Sequence, residues 1–174
     1  MKKLVSVLSV VVFFIAAGIA VAGDMNMPPY EGSEALQQIK ALEGMWEGVS
    51  SEGGKEEPAE VVYEVTSNGS VVMEHLFPGT PHAMLTTYYD KGGKVNMVHY
   101  CAIGNRPIME LISVKDNKLN FVLSPDSDIK PNEPHMHSLT ITIVDENRIV
   151  HEWGFYQDGK PAAETSKFTF TRIE

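Results

Sequence analysis

Short runs of apolar and β-branched residues alternate with turn residues along most of the chain, at intervals of about 10 to 12 residues. Within these runs apolar and polar residues tend to alternate, which is the period of a half-buried strand. Ten strands are predicted on this basis, over residues 45–50, 59–66, 70–77, 83–89, 95–102, 108–115, 118–124, 135–144, 148–156 and 163–172.

The segments between the predicted strands carry residues that favour tight antiparallel turns. Strands joined by such turns form a meander, and a long meander closes into a barrel because closure removes its unpaired edges. The predicted fold is therefore all-β, an antiparallel meander closed into a barrel of roughly ten strands. The turn sequences are Asn68-Gly69, Gly92-Gly93, Asn117, Asp145-Glu146-Asn147 and Asp158-Gly159.

One short helix is predicted before the first strand. Ser33 is a suitable N-cap, the helix covers Glu34 to Leu42, and Gly44 ends it. Leu36 and Ile39 form its apolar stripe.

The first 22 residues have the pattern of a secretory signal peptide. Met1-Lys2-Lys3 is a positive start, Leu4 to Ile19 is largely apolar, and Ala20-Val21-Ala22 is a small-residue cleavage site. An uncleaved membrane anchor is the alternative, since the run approaches the length of a spanning helix. We expect cleavage, a periplasmic or secreted protein, and no stable membrane span afterwards. The predicted organisation is a signal peptide over 1–22, a flexible leader over 23–33 and one barrel domain over 34–174.

Composition narrows the function only a little. The chain has 174 residues, enough for one domain with a sizeable core, and its 43% hydrophobic and 21% charged residues are typical of a globular protein. Its 14 Lys and Arg against 23 Asp and Glu give a net charge of -9, which argues against nucleic-acid binding. Cys101 is the single cysteine, so no disulfide can form within the chain and the core must supply the stability.

The sequence from Leu42 to Gly48, with Gly44-x-Trp46 at the entry to the first strand, resembles the signature of calycin barrels. These are the lipocalins, the fatty-acid-binding proteins and the nitrobindin-type haem barrels. The resemblance implies that an arginine late in the last strand covers the tryptophan and closes the barrel floor, and Arg172 is placed to do so. Residues 97–107 and 151–160 also resemble exported bacterial lipocalin-like proteins of unknown function.

Turn positions predict which side chains share a face. If Glu146-Asn147 is a two-residue loop, Thr142 lies opposite His151 and Thr140 opposite Trp153. A second loop at Asp158-Gly159 places Ser166 opposite His151 and Glu164 opposite Trp153, whereas one bulge would exchange the faces. The inward face is then predicted to carry Met136, Ser138, Thr140, Thr142, His151, Trp153, Phe155, Glu164, Ser166, Phe168 and Phe170.

The Gly92-Gly93 hairpin predicts which side chains form the other half of the inward-facing wall of the barrel. It aligns Met84, Thr86 and Tyr88 with Met97, His99 and Cys101. Together the two faces suit a cavity for an apolar ligand with one polar end. The alternative is a barrel filled by its own side chains, with a hydrogen-bonded histidine in the core.

Metal and haem chemistry remain as alternatives. His99-x-Cys101 and His135-x-His137 each place two ligand types on one strand face, which suits Zn or Cu. The resemblance to nitrobindin-type barrels implies that a wall histidine, His151 or His99, can bind haem. No metal-binding set is predicted, and no cofactor beyond this haem alternative.

Catalysis has less support in the sequence. The chain lacks a Gly-x-Ser-x-Gly elbow, a phosphate-binding glycine loop and a His-Glu-x-x-His motif. No catalytic residue is assigned, and a barrel enzyme with His151 as acid or base is the third hypothesis.

We therefore predict an exported, non-catalytic protein that binds a small apolar or amphipathic molecule inside the barrel. Arg106, in a predicted turn, is a candidate for a ligand carboxylate at the mouth. The predicted ligand-binding residues are Met84, Thr86, Met97, His99, Cys101, Arg106, Thr140, Thr142, His151, Trp153, Phe155 and Glu164, and Trp46 and Arg172 are predicted to close the barrel.

Overall fold

The computed structural model describes residues 27–163 and 165–173. The predicted signal peptide and residues 23–26 of the leader lie outside this part of the chain. One α-helix, α1, covers Glu34–Lys40, and a short 3-10 helix covers Ser67–Gly69. The strands are β1 Gly44–Glu52, β2 Lys55–Thr66, β3 Val71–Leu76, β4 Met84–Lys91, β5 Lys94–Tyr100, β6 Ile108–Lys115, β7 Lys118–Leu123, β8 His135–Asp145, β9 Arg148–Gln157, β10 Lys160–Pro161 and β11 Ser166–Arg172.

The strands form a closed antiparallel barrel, so the predicted fold class is confirmed. Successive strands pair from β1 to β9, and β11 pairs with both β9 and β1 to complete a ring of ten strands. The two residues of β10 pair with β9 alone and form an extra strand. In the described part of the chain, no helix has the length and apolar character needed to cross a membrane.

One end of the barrel is filled by the helix and by the pair that the calycin resemblance implied. Leu36 and Ile39 of α1 are completely buried, and the Ser33 hydroxyl accepts the Leu36 N–H as the predicted cap. Trp46 is also buried, and the Arg172 guanidinium lies 4.1 Å from the centre of its ring. The same guanidinium donates to the carbonyls of Ala41 and Glu43, so Arg172 connects α1, β1 and β11.

Part of the predicted leader contacts this end of the barrel. The Tyr30 N–H donates to the Asn68 carbonyl over 2.8 Å, and the backbone N–H and hydroxyl of Ser33 both donate to the Asp90 carboxylate. These bonds connect the segment before α1 to the β2–β3 connection and to β4.

The β8–β9 register differs from the prediction by one residue. Asp145 pairs with Arg148, so Glu146-Asn147 is the loop as predicted, but a bulge at Val144 shifts the strands beyond it. Ile141 therefore lies opposite His151, and Leu139 lies opposite Trp153. The prediction that Ser138, Thr140 and Thr142 face inward was wrong, because the bulge places the buried Leu139 and Ile141 inside instead. A second bulge at His137 returns Met136 to the predicted inward face.

The β9–β11 register is shifted by two residues relative to the prediction. Because side chains alternate along a strand with a period of two, the same side chains of β11 still face inward. Lys160 pairs with Gln157 across the predicted Asp158-Gly159 loop, but β11 begins only at Ser166. Ser166 consequently lies opposite Trp153, and Phe168 lies opposite His151. The predicted pairing of Ser166 with His151 was therefore wrong, while Phe168 and Phe170 are buried on the predicted side. Glu164 lies outside the described residues.

The predicted β4–β5 register is confirmed. Lys91 pairs with Lys94, and Gly92 and Gly93 both have the positive φ angles, 60° and 82°, that a type I′ turn requires. Thr86 therefore lies opposite His99, and Tyr88 lies opposite Met97. All four side chains are buried inside the barrel.

Candidate functional site

The end of the barrel opposite Trp46 contains a cavity of about 620 Å³. Most of its wall is apolar, and eight strands contribute side chains to it: β1, β2, β3, β4, β5, β8, β9 and β11. The loop from Phe77 to Ala83, between β3 and β4, contributes Phe77, Thr80 and His82 to the rim. The apolar lining consists of Pro58, Leu76, Phe77, Met84, Ile103, Met136, Trp153, Phe155 and Phe168.

Two buried polar side chains, His99 and Trp153, lie at the inner part of this cavity. Their relative exposures are 1% and 2%, and their ring centres are 4.5 Å apart. His99 Nδ1 is 2.9 Å from the Thr86 hydroxyl, whereas His99 Nε2 has no hydrogen-bond partner among the described residues. The Trp153 indole N–H has none either. Because buried polar groups are normally paired, these two atoms mark a place where a polar group of a ligand or a water can bind.

Burial fixes the charge state of His99. It lowers the pKa of the imidazole to about 4, so His99 is neutral at pH 7. A neutral imidazole presents one donor and one acceptor, and the Thr86 hydroxyl can satisfy either at Nδ1. The cavity therefore offers an indole donor and an uncharged imidazole nitrogen for polar recognition.

A separate polar cluster lies deeper in the barrel, among side chains that do not line the cavity. Tyr63 and Tyr88 donate hydrogen bonds to the same Glu74 oxygen, Oε2, over 3.0 and 2.5 Å. All three residues are buried, and burial raises the pKa of Glu74 to about 7. No described residue forms an ion pair with Glu74. Among the described residues, the two tyrosine hydroxyl groups alone donate hydrogen bonds that stabilise its ionised form.

His151 belongs to this deeper cluster and is not part of the cavity lining. Its Nε2 is 2.9 Å from the Tyr63 oxygen. The Tyr63 hydroxyl donates its own hydrogen bond to Glu74, so toward His151 the Tyr63 oxygen acts as the acceptor. His151 Nε2 therefore carries the proton and donates to Tyr63. Burial lowers the pKa of His151 to about 3, so the ring is neutral.

The structure divides the predicted ligand residues into several groups. Met84, His99, Trp153 and Phe155 line the cavity. Thr86 lies behind it as the partner of His99, and Met97 is buried in the core. Thr140 and Thr142 lie on the outer face, where the Thr140 hydroxyl donates to Asn120.

Cys101 and Arg106 line a different, external pocket of about 410 Å³ beside Tyr100. The Arg106 guanidinium lies 3.3 Å from the Asp128 carboxylate there. Arg106 is therefore not at the mouth of the apolar cavity, contrary to the prediction. The prediction that Cys101 contributes to the inner wall was also wrong. Strand β5 ends at Tyr100, so Cys101 lies beyond the strand and lines the external pocket instead.

The His135-x-His137 pair forms a hydrogen-bonded unit on the outside of β8. His135 Nδ1 donates to the Glu133 carbonyl over 2.6 Å, and its Nε2 is 3.1 Å from His137 Nδ1. The His137 ring stacks on Tyr156 at 3.7 Å. Among the described residues, no group of three or more His, Cys, Asp or Glu side chains is placed to hold a metal ion.

Sequence reasoning did not identify several of the residues that define the site. Leu76 and Phe77 form part of the apolar wall, and Glu74 and Tyr63 form the deeper cluster. Phe168, predicted to face inward, also lines the cavity but was not among the predicted ligand-binding residues. The alternation of β3 contained a signal, since Val72, Glu74 and Leu76 occupy successive positions on one face. A glutamate that lies between two apolar residues on the same inward face of a strand is expected to be buried with them.

The comparisons with known proteins support the barrel and nothing finer. A protein of unknown function from the DUF3598 family of Nostoc punctiforme matches 78% of this chain with 16% identity and a TM-score of 0.54. This chain covers 49% of that protein, about half its length. Rv2717c from M. tuberculosis matches 83% of this chain over its entire length, with 18% identity and a TM-score of 0.58.

No protein-family model matches the chain, and no curated protein matches it. At identities of 16% and 18%, the two structural similarities show a shared fold. A calycin-like barrel is consistent with both.

Proposed function

We propose that this protein is an exported, non-catalytic binding protein that holds a small apolar or amphipathic molecule in the open end of its barrel. The supporting observation is the combination of a mainly apolar cavity of about 620 Å³ with two buried, unpartnered polar atoms, His99 Nε2 and Trp153 Nε1. Small-molecule sites commonly have this composition, with apolar walls for affinity and a few polar groups for orientation.

The apolar wall and the polar atoms have different roles in this proposal. The body of the ligand contacts Trp153, Phe155 and Phe168, and each Å² of apolar surface removed from water contributes about 25 cal/mol. A carbonyl, ether or hydroxyl oxygen of the ligand accepts the Trp153 N–H. Pairing this buried donor removes the penalty of leaving it unsatisfied, so the polar end determines the orientation.

The test is a titration with 1-N-phenylnaphthylamine, a neutral probe whose fluorescence rises in apolar surroundings. We expect saturable binding to the wild type. In Trp153→Ala, loss of about 60 Å² of ring contact would weaken binding by about 1.5 kcal/mol, close to tenfold. Thr140→Val is the matched control on the outer face and is expected to bind within about twofold of the wild type.

Absence of saturable probe binding to the wild type would refute the proposal. So would equal losses in Trp153→Ala and Thr140→Val, because binding would then not involve the cavity. Urea unfolding of each variant checks that the barrel remains folded.

Haem is a second candidate because of His99. Its Nε2 has no partner among the described residues and its ring is neutral, which is the form that coordinates iron. The rim, however, carries Glu52 and Glu57, whose charges oppose the carboxylates of a haem. A haem titration followed by absorbance separates the two functions, since His99→Ala would abolish a haem spectrum and leave most of the affinity for an apolar probe.

The export part of the proposal is supported by the sequence of residues 1–22. A positive start, an apolar run and Ala20-Val21-Ala22 together favour secretion and cleavage before Gly23. The domain would then act in the periplasm or outside the cell.

A further inference from the structure

The rim of the cavity carries two carboxylates from one hairpin. In β1 and β2, Ser50 pairs with Glu57 and Glu52 pairs with Lys55, and these positions continue the inward face of Trp46 and Gly48. Glu52 and Glu57 both line the cavity together with Ser50. The open end of an apolar cavity is therefore bordered by negative charge.

Little positive charge opposes these carboxylates. Among the residues that the structure describes, neither an arginine nor a lysine lines the cavity, and the two lining histidines are His82 at the rim and the neutral His99 inside. Lys55 lies opposite Glu52 on the same face and lines an adjoining pocket with both glutamates, so the rim carries two carboxylates against one lysine. No cation of the described residues comes within 4.0 Å of Glu52 or Glu57. Arg106, the predicted partner for a ligand carboxylate, is paired with Asp128 in another pocket.

The inner part of the same cavity independently indicates a ligand. His99 and Trp153 are almost completely buried there, and each has a polar atom without a partner among the described residues. Neither side chain carries a charge at pH 7, so neither compensates a carboxylate that enters the cavity. A buried carboxylate without a cation is strongly disfavoured.

From these features we infer that the ligand is a cationic amphiphile, with an apolar body in the cavity and a protonated amine at the rim beside Glu52 and Glu57. This inference rests on the proposed function and adds the charge of the ligand to it. It departs from the fatty acid that a calycin barrel would suggest. A carboxylate would meet like charge at the rim and only neutral groups inside.

The experiment compares three ten-carbon ligands that differ only in their end group: decylammonium, decanol and decanoate. Each displaces 1-N-phenylnaphthylamine from the full protein at pH 7 and low salt. We expect decylammonium to bind about tenfold more tightly than decanoate, with decanol between them, because each partly exposed ion pair changes affinity by only a few-fold. The preference should shrink as salt is added, since screening weakens exposed charges.

The variant Glu52→Gln/Glu57→Gln removes the rim charge with little change in shape. We expect it to reduce the preference for decylammonium over decanoate to about twofold, with decanol as the uncharged reference ligand for each protein. Glu56→Gln/Glu60→Gln is the matched control, because these residues alternate with the inward positions of β2 and change the net charge equally. The control should retain the wild-type preference.

The outcomes separate the two proposals. If decanol binds but decylammonium and decanoate bind equally, or decanoate binds best, the charge inference is wrong while the binding function stands. If both double variants lose the preference equally, it arises from net charge and the role of the rim is refuted. If none of the ligands displaces the probe and the probe itself does not bind, both proposals fail.

Discussion

Glu74 leads to a prediction about stability that is opposite in sign to that of most carboxylates. Burial raises its pKa in the folded protein to about 7, against an ordinary value of 4.5. The folded state therefore holds this proton more tightly than the unfolded chain does. The stability that results is fully present below about pH 4.5 and is lost as the pH rises through about 7.

The variant Glu74→Gln isolates this effect. Glutamine has nearly the same shape, and its carbonyl oxygen can accept the hydrogen bonds from Tyr63 and Tyr88. It does not ionise. The difference between the two pKa values corresponds to about 3 kcal/mol, so the free energy of unfolding of the wild type should fall by about 3 kcal/mol relative to the variant between pH 4.5 and pH 8.

Urea unfolding at half-unit pH steps measures this difference. The contributions of His99 and His151 to the pH dependence cancel in the comparison, because both proteins contain these residues. Glu47→Gln, an exposed residue of β1, is the control and should show no such trend. A difference between Glu74→Gln and the wild type that stays constant within about 1 kcal/mol from pH 4.5 to pH 8 would show that Glu74 is solvated. The buried cluster would then be wrongly described.

Three further predictions follow from other parts of the molecule. Trp46→Ala should lower the free energy of unfolding by about 3 to 5 kcal/mol, through loss of a buried ring and of its contact with Arg172, and a change below about 1 kcal/mol in urea unfolding would contradict the barrel-end packing. His151→Ala should weaken 1-N-phenylnaphthylamine binding less than Trp153→Ala, since His151 does not line the cavity; the reverse order in the same titration would place the probe elsewhere. N-terminal sequencing of exported protein should find a start at or near Gly23, and an intact Met1 would contradict cleavage.

Much of the fold could be predicted because turn residues define where strands end. The Gly92-Gly93 hairpin is the clearest case, since two glycines between apolar runs determine both the turn and the register. The helix cap at Ser33 was likewise predictable from local chemistry. The pairing of Trp46 with Arg172 was predicted through the resemblance to calycin barrels.

The predicted site was less accurate because strand faces depend on irregularities without a sequence signature. The bulge at Val144 exchanged the faces of β8 over residues 138–143, although the apolar Leu139 and Ile141 already indicated which side was buried. The cavity itself depends on how side chains fill the two ends of the barrel. Trp46, Tyr63 and Tyr88 fill one end, and short or peripheral side chains such as Ser50 and Ser166 leave the other open.

The most direct test of the binding proposal is a crystal structure of the protein with 10-bromodecanol, a neutral amphiphile whose bromine is located by anomalous scattering. We expect a bromine peak inside the barrel in contact with the apolar wall near Trp153 and Phe168, and the hydroxyl end within reach of polar groups of the cavity. Bromine only on the outer surface, with the open end of the barrel closed by its own side chains, would contradict the proposal that this protein is a binding barrel.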